Sequence, residues 1–264
     1  RFNTTGAGAT TPSFSAATDL SASVAVDDPS DVIITDINQD TVPDIAFLNQ
    51  GANEFVSLLN TTVAAAVTPT FGTPVSVTTD AGPVRLAEIF IDNDFSPDYV
   101  VLNSNTDLLT SYLNQTVQGD ANIAYNVSTS GRMGRSRPVD VHVDDLTRDG
   151  ILDTITLDQV DRSVSVFATT SGPGISPVTL RTRQVFEFST PSASTMGIAD
   201  INSDNLPDLL VLDPTQGQFF LRLNETTAPG TAAVFGNEQT VTSALNAVAL
   251  AVADLDIDGA ADVV

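Results

Sequence analysis

The sequence predicts an all-β fold of repeated four-stranded antiparallel blades, and three observations support this prediction. An acidic pattern recurs at a fixed period, short segments rich in β-branched and aromatic residues follow each copy, and helical periodicity is weak throughout. Short strands repeated at a fixed period are typical of a β-propeller, whose blades surround a channel and leave only short exposed edges.

The acidic pattern has five copies along the chain. They read DINQDTVPDIAFLN, FIDNDFSPDYVVLN, DLTRDGILDTITLD, DINSDNLPDLLVLD and DLDIDGAADVV, and they begin at residues 36, 90, 145, 200 and 254. The period of 54 or 55 residues is too long for leucine-rich or ankyrin units. We therefore expect residues 1–264 to form one propeller domain, or a piece of one, with five repeats of about 55 residues.

Each repeat offers four strand segments. In the first repeat, DVIIT leads into the acidic run, DIAFL follows it, FVSLLN comes after a polar turn, and FGTPVSV comes after a longer loop. The segments are rich in β-branched and aromatic residues and are separated by turn residues. The acidic run should therefore lie in the turn between the first and second strands of a blade.

Composition narrows the function classes. Asp and Glu number 33 against 10 Lys plus Arg, which gives a formal charge of −23 and disfavours nucleic acid and anionic membrane surfaces as partners. The absence of cysteine excludes disulfides, thiolate metal sites and thiol catalysis. No stretch approaches the roughly 18 apolar residues of a membrane span, so membrane insertion is not expected. The acidic excess favours a bound cation.

The spacing in the first copy predicts a calcium site. Asp36, Asn38 and Asp40 occupy positions 1, 3 and 5, Val42 offers a backbone carbonyl at position 7, and Asp44 returns at position 9. Several carboxylates among hard oxygen ligands suit Ca²⁺ better than Mg²⁺. An EF-hand is rejected because that loop closes with Glu at position 12 and is flanked by helices. Asp and Asn are also good turn residues, but repeated carboxylates at positions 1, 5 and 9 repel one another unless a cation lies between them.

These loops, followed by an apolar strand, LLN and FG, resemble the FG-GAP or VCBS repeats of integrin-α-type propellers. The resemblance implies a calcium-binding propeller that is usually seven-bladed and extracellular, with up to five ions here. The second loop should hold calcium most weakly, because Phe90 replaces its first aspartate. The ligands implied in the other loops are Asp92, Asp94 and Asp98; Asp145, Thr147, Asp149, Ile151 and Asp153; Asp200, Asn202, Asp204, Leu206 and Asp208; and Asp254, Asp256, Asp258, Ala260 and Asp262.

Two further groups of residues have more than one interpretation. Arg132, Arg135 and Arg137 lie in SGRMGRSRP and could grip an anionic sugar or a partner's carboxylates, or could simply offset neighbouring acids. His142 is expected to be packed or channel-lining rather than catalytic. The Asn residues in N-x-[ST] patterns are either glycosylation sites or turn residues of the repeat; they are Asn3, Asn60, Asn114, Asn126 and Asn224.

Three functional hypotheses remain open at this point. The first is an extracellular or cell-surface binding and adhesion module that presents blade loops to a protein or glycan. The second is a lyase-like enzyme acting on polysaccharide, which a single histidine and the absence of cysteine and lysine disfavour. The third is a structural subunit of an extracellular assembly, joined by strand exchange through terminal strands near residues 14–24 and 249–264, whose register leaves open edges.

Overall fold

The computed structural model describes residues 5, 7–14, 25–64, 66, 68–91, 94–132, 137–170, 182–190, 192–242, 247, 249–257 and 260–264. The described residues form strands and turns without helix, and the prediction of an all-β fold is confirmed. The proposed N-terminal strand near residues 14–24 lies outside them apart from Phe14, which forms a single bridge.

Four four-stranded sheets and one two-stranded sheet follow one another along the chain. Blade 1 contains β1 (Pro29–Thr35), β2 (Asp44–Asn49), β3 (Glu54–Leu58) and β4 (Val75–Thr78). Blade 2 contains β5 (Pro83–Ile89), β6 (Asp98–Asn103), β7 (Leu108–Asn114) and β8 (Tyr125–Arg132). Blade 3 contains β9 (Pro138–Asp144), β10 (Asp153–Asp158), β11 (Ser163–Phe167) and β12 (Gln184–Glu187). Blade 4 contains β13 (Thr195–Ala199), β14 (Asp208–Asp213), β15 (Gln218–Arg222) and β16 (Gln239–Thr242), and β17 (Val252–Ala253) pairs with β18 (Asp262–Val263).

Within each blade, consecutive strands pair antiparallel in sequence order, which confirms four-stranded antiparallel blades for four of the five repeats. Every acidic run lies between the first and second strands, as predicted. The FG segments differ from the prediction, because Phe71 and Phe235 form only isolated bridges to Asn60 and Asn224. In blade 1 the ladder resumes at β4 after Pro74, which has no N–H to donate.

The first strands of successive blades lie side by side. β1 contacts β5, β5 contacts β9, β9 contacts β13, and β13 contacts β17. This arrangement is propeller-like, with the first strands innermost and the later strands further from the axis. Each sheet is itself open, and closure into a ring, the number of blades and the single domain stay predictions.

The core lies between blades, because both faces of each second strand are apolar. In β6, Tyr99 and Val101 pack towards blade 1, whereas Val100 and Leu102 pack in the cluster shared with blade 3. A third cluster joins blades 3 and 4 through side chains such as Leu157 and Val211. Near-continuous apolar runs rather than simple alternation are what a strand buried on both faces requires.

An aromatic cluster joins blade 1 to blade 2. Tyr99, Tyr112 and Tyr125 of blade 2 surround Phe55 of blade 1, with ring centroids 5.1 to 5.3 Å from that of Phe55. All three hydroxyl groups reach blade 1: Tyr99 lies 3.1 Å from Thr35 Oγ1, Tyr125 lies 2.7 Å from Ser57 Oγ, and Tyr112 donates to the Thr78 carbonyl at 3.1 Å. Burial raises the pKa of each phenol above its ordinary value.

The opposite face of blade 1 is apolar and partly open. Phe47, Val56 and Leu58 form a small cluster there, next to a cavity of about 420 Å³. On β1 of the same face, Val32 and Ile34 are 60% and 66% exposed. The equivalent face of blade 2, which carries Tyr99 and Tyr112, is buried by blade 1.

We predict that all three tyrosines ionise only as the protein unfolds in alkali. Their raised pKa values mean that the stability they contribute is present below about pH 10, the unfolded value, and is lost as the pH rises further. Phenolate absorbance should rise together with the loss of far-ultraviolet circular dichroism. The denatured chain is the control and should titrate near pH 10, and a folded chain that does the same contradicts the prediction.

Candidate metal-binding loops

The acidic loops are residues 36–44, 90–98, 145–153, 200–208 and 254–262, and each lies between the first and second strands of its blade. Neighbouring loops meet at one edge of the molecule. Gln39 of the first loop donates from Nε2 to Ser96 Oγ of the second at 2.8 Å. The first and second loops therefore belong to one face.

Position 9 of the first four loops is a buried aspartate that clamps the blade; these clamp aspartates are Asp44, Asp98, Asp153 and Asp208, each 0% exposed. In the fourth loop, Asp208 Oδ2 accepts from the Ile201 N–H at 2.9 Å and Oδ1 accepts from the Asn224 N–H at 2.7 Å. The other three make the same two kinds of bond, to the start of the loop and to the end of the third strand. One carboxylate thus joins two parts of the blade that are distant in sequence.

Burial raises the pKa of three clamp aspartates. For Asp44 and Asp208, burial outweighs the backbone hydrogen bonds, and the other carboxylates of the same loop add to the rise. Asp153 is affected in the same way, and its pKa is raised to about 7. A cation near these carboxylates would favour the ionised form and lower these pKa values.

The aspartates at position 1 shape the loop. Asp36 accepts from the N–H groups of Asp40 at 3.0 Å and Thr41 at 2.9 Å, and Asp145 and Asp200 make the equivalent bonds. Positions 4 and 6 take left-handed backbone conformations in these three loops; they are Gln39 and Thr41, Arg148 and Gly150, and Ser203 and Asn205. A β-branched residue such as Thr41 rarely adopts positive φ, so the Asp36 bond offsets a local strain.

Position 3 holds the clearest indication of a ligand in the first and third loops. Asn38 is 4% exposed and Thr147 is 1% exposed, and their side-chain oxygens, Oδ1 and Oγ1, have no hydrogen-bond partner. Asn38 points at the loop, because its Nδ2 donates to Asp40 Oδ2 at 3.1 Å. Buried oxygens without partners are costly in a protein interior, and a cation in the loop would satisfy them.

The fifth loop brings three predicted ligands together. Asp254, Asp256 and Asp262 each offer a carboxylate oxygen, and these oxygens lie within 4.8 Å of one another. Within the described residues, this is the group of three acidic side chains that meets such a distance. Two of these carboxylates also hold backbone amides, as in the other loops: Asp262 accepts from the Leu255 N–H at 2.9 Å and Asp254 accepts from the Ile257 N–H at 2.7 Å. Asp258, the ligand expected at position 5, lies outside the described residues.

The second loop differs as its sequence predicts. Phe90 is 40% exposed and Phe95 is 85% exposed, so an aromatic ring stands at the place of the first aspartate. Asp98 forms the clamp, and Asp94 Oδ1 accepts from the Ser96 N–H at 2.8 Å. Asp92 lies outside the described residues, and the weak occupancy of this loop stays a prediction.

The arginine cluster is described only in part. Arg137 is exposed and its carbonyl accepts from the Gln159 N–H at 3.0 Å, whereas Arg135 and the side chain of Arg132 lie outside the description. His142 lies on β9 with its Nε2 3.7 Å from Asp140 Oδ2 and is partly exposed, and its place in a channel stays a prediction. Neither observation assigns these residues a ligand.

The Asn of the N-x-[ST] pattern serves as a turn residue in three blades. The backbone N–H two residues later donates to the Oδ1 of Asn60, Asn114 and Asn224 at 3.0 Å. Asn114 and Asn224 are 0% and 1% exposed, and their amide groups donate to the carbonyls of Ile37 and Leu146 in the acidic loop of the preceding blade. This geometry supports the turn interpretation most directly at Asn114 and Asn224, because a buried and bonded amide does not accept a glycan.

Sequence reasoning missed a polar layer on the first strands. Its members occupy the same register position in four blades, opposite a leucine of the second strand; they are Asp31, Arg85, Asp140 and Thr195. Asp31 accepts from the Leu86 N–H at 2.9 Å, and Asp140 accepts from Thr195 Oγ1 at 2.7 Å and lies 3.7 Å from Arg85 Nε. Burial opposes the ionisation of Asp140, but His142 and the hydrogen bonds from blade 4 lower its pKa overall. The sequence offered one indication of this polar layer, which is that its four members are spaced at the repeat period.

Comparison with known families bears on the fourth and fifth acidic loops. Residues 200–264, which contain both loops, match the model of the FG-GAP-like repeat. This segment is similar to an FG-GAP-like repeat. The same acidic pattern begins at residues 36, 90 and 145, so the resemblance to FG-GAP repeats is confirmed, while the integrin-like, calcium-binding and closed-propeller parts of that expectation stay predictions.

The curated proteins contain no significant match to the chain. A search of the described residues for a helix with the length and apolarity of a membrane span found none.

We predict that Asp208→Ala destabilises the protein by about 2 to 5 kcal/mol, because it leaves the buried Asn224 N–H and the partly buried Ile201 N–H without acceptors. The free energy of unfolding should be measured in chelator, so that the clamp is tested apart from any ion. Asp161→Ala, at an exposed turn, is the matched control and should change stability by less than about 0.5 kcal/mol. Equal effects of the two substitutions would refute the clamp.

Proposed function

We propose that this chain is an extracellular, calcium-stabilised binding module built from FG-GAP-like repeats, which presents its blade loops to a protein or glycan. The observation that carries the proposal is the group of three converging carboxylates, Asp254, Asp256 and Asp262, inside the segment that matches the FG-GAP-like repeat. Oxygen ligands with several carboxylates are those that calcium prefers.

The other loops support the same cation. The unpartnered oxygens of Asn38 and Thr147 are buried beside carboxylates, and burial raises the pKa values of Asp44, Asp153 and Asp208. A bound calcium ion would be the partner of the two unpartnered oxygens, and its positive charge would stabilise the ionised carboxylates. The residues of this chain would hold the ion, shape the loop around it and transmit its stabilisation to the third strand through the clamp aspartates.

The arrangement of variable loops on bonded blades supports binding as the activity of this protein. The loops vary in sequence outside the acidic positions, whereas the blades beneath them are bonded to one another through Asn114 and Asn224. Variable loops on a fixed scaffold are the usual basis of a recognition surface. Arg85 and His142, both partly exposed on the first strands, add cationic or polar groups near the axis.

Calcium should raise the midpoint of thermal unfolding, and by more at about pH 8 than at about pH 5. In chelator, the raised pKa of Asp153 means that stability present below about pH 4 is lost as the pH rises through about 7, and calcium offsets this loss. Saturation at 100 times Kd stabilises by about 2.7 kcal/mol per site. Scanning calorimetry with calcium, magnesium or chelator measures the effect, with magnesium expected to act more weakly. An identical midpoint in calcium and chelator would refute the proposal.

Ligand binding should require calcium. Protein and glycan arrays probed with the whole chain should give positive spots in calcium that disappear in chelator, because the loops that form the face lose their order. Asp161→Ala serves as the control variant and should leave the pattern unchanged. Spots that persist at full strength in chelator would contradict a calcium-ordered face, and an unsaturated product released from uronic acid polymers would favour the lyase hypothesis instead.

A further inference from the structure

The acidic loops of blades 1 and 3 are covered by the following blade. A turn between the third and fourth strands of that blade lies over the loop; these two capping turns are residues 117–120 and 228–231. The Gly119 N–H donates to the Asn38 carbonyl at 2.7 Å, and the Gly230 N–H donates to the Thr147 carbonyl at 2.9 Å. In both cases the acceptor is position 3 of the acidic loop.

The two capping turns reach the same acceptor by different routes. Gly119 lies five residues after Asn114, whereas Gly230 lies six residues after Asn224. The same contact therefore forms although the two loops differ in length. Both glycines have positive φ, 73° and 67°, which a residue with a side chain rarely adopts. The backbone conformation that turns the N–H onto the acidic loop is therefore specific to glycine.

The capping turns account for the burial at position 3. Asn38 and Thr147 are buried beneath them, whereas Asn202 and Asp256 at the same position of the fourth and fifth loops are exposed. In the described part of the chain, no capping turn covers those two loops. The first turn also supplies the Asp120 carbonyl, which accepts from Asn38 Nδ2 at 3.2 Å.

We propose that the capping turns seal the cations of the first and third loops, so that release of these ions requires blade 2 or blade 4 to lift from its neighbour. This inference rests on the proposed calcium binding, and it adds that the sites differ in exchange rate. The unpartnered oxygens of Asn38 and Thr147 lie beneath the turns, so the turns cover the side of each ion site that these oxygens form. Within the described residues no turn covers the fourth and fifth loops, so ions there should exchange faster in this chain.

Stopped-flow mixing of the calcium-loaded whole chain with a fluorescent chelator tests the sealing. The ions of the first and third loops should leave in a slow phase, and those of the fourth and fifth loops in a fast phase. Gly119→Ala and Gly230→Ala should each accelerate one slow ion by about five- to tenfold, because an L-residue is strained at positive φ. Nothing lies within 4 Å of a Cβ added at Gly119, so that variant should fold.

Gly8→Ala is the matched control. Gly8 also has positive φ, 78°, and open space around an added Cβ, but it lies outside the acidic loops and capping turns, so release should be unchanged. Hydrogen exchange of the Gly119 and Gly230 amides gives a second readout and should slow in calcium relative to chelator.

The outcomes separate the two proposals. If equilibrium dialysis finds no bound calcium, the proposed function fails and the sealing fails with it. If calcium binds but every ion leaves in one phase, or both glycine variants leave the slow phase unchanged, the sealing alone is wrong. The sealing is established if the ions of the first and third loops leave slowly, if each glycine variant makes one of them leave faster, and if Gly8→Ala leaves both release rates unchanged.

Discussion

The structure depends on one buried carboxylate per blade. A clamp aspartate such as Asp44 connects the start of the acidic loop to the end of the third strand, and its two oxygens receive two backbone N–H groups that would otherwise be buried without acceptors. Burying a charge is unfavourable, which is why the pKa of this group rises. The clamp aspartate therefore positions the turn between the first and second strands, the end of the third strand and the acidic face.

The same residue links the fold to the proposed ion. The clamp aspartate holds the blade through one set of lone pairs, and each carboxylate oxygen retains a second lone pair for a cation. Position 1 works in the same way, since Asp200 organises the loop backbone with the oxygens that were predicted to bind metal. Loop geometry and ion binding are therefore two uses of one set of carboxylates.

Much of this architecture could be predicted from the sequence. The 54- to 55-residue period, the strand segments and the place of the acidic run depend on local patterns, and the strands begin and end within a few residues of the predicted segments. Three of the carboxylates predicted for the fifth loop, those of Asp254, Asp256 and Asp262, lie close together. The clamp of Asp208 was less visible, because a carboxylate at position 9 has the same spacing whether it holds an ion or the Asn224 amide.

Features that join residues of different blades escaped prediction. Gly119 and its acceptor Asn38 are about 80 positions apart, and the layer formed by Asp31, Arg85 and Asp140 bonds across first strands that do not pair with one another. Such contacts arise only when the blades pack, so no local pattern encodes the partner. The period itself was the one available clue, because equivalent positions of neighbouring repeats become neighbours in space.

The open face of blade 1 has a consequence for how the protein behaves in solution. Val32 and Ile34 expose apolar surface on a molecule with a formal charge of −23, so mutual repulsion keeps two such faces apart at low ionic strength. Salt shortens the reach of that repulsion to about 8 Å at physiological strength, and bound divalent ions reduce the charge itself. Under the proposed function, calcium would therefore stabilise the loops and at the same time lower the barrier to self-association, so folding stability and colloidal stability would vary in opposite directions with its concentration.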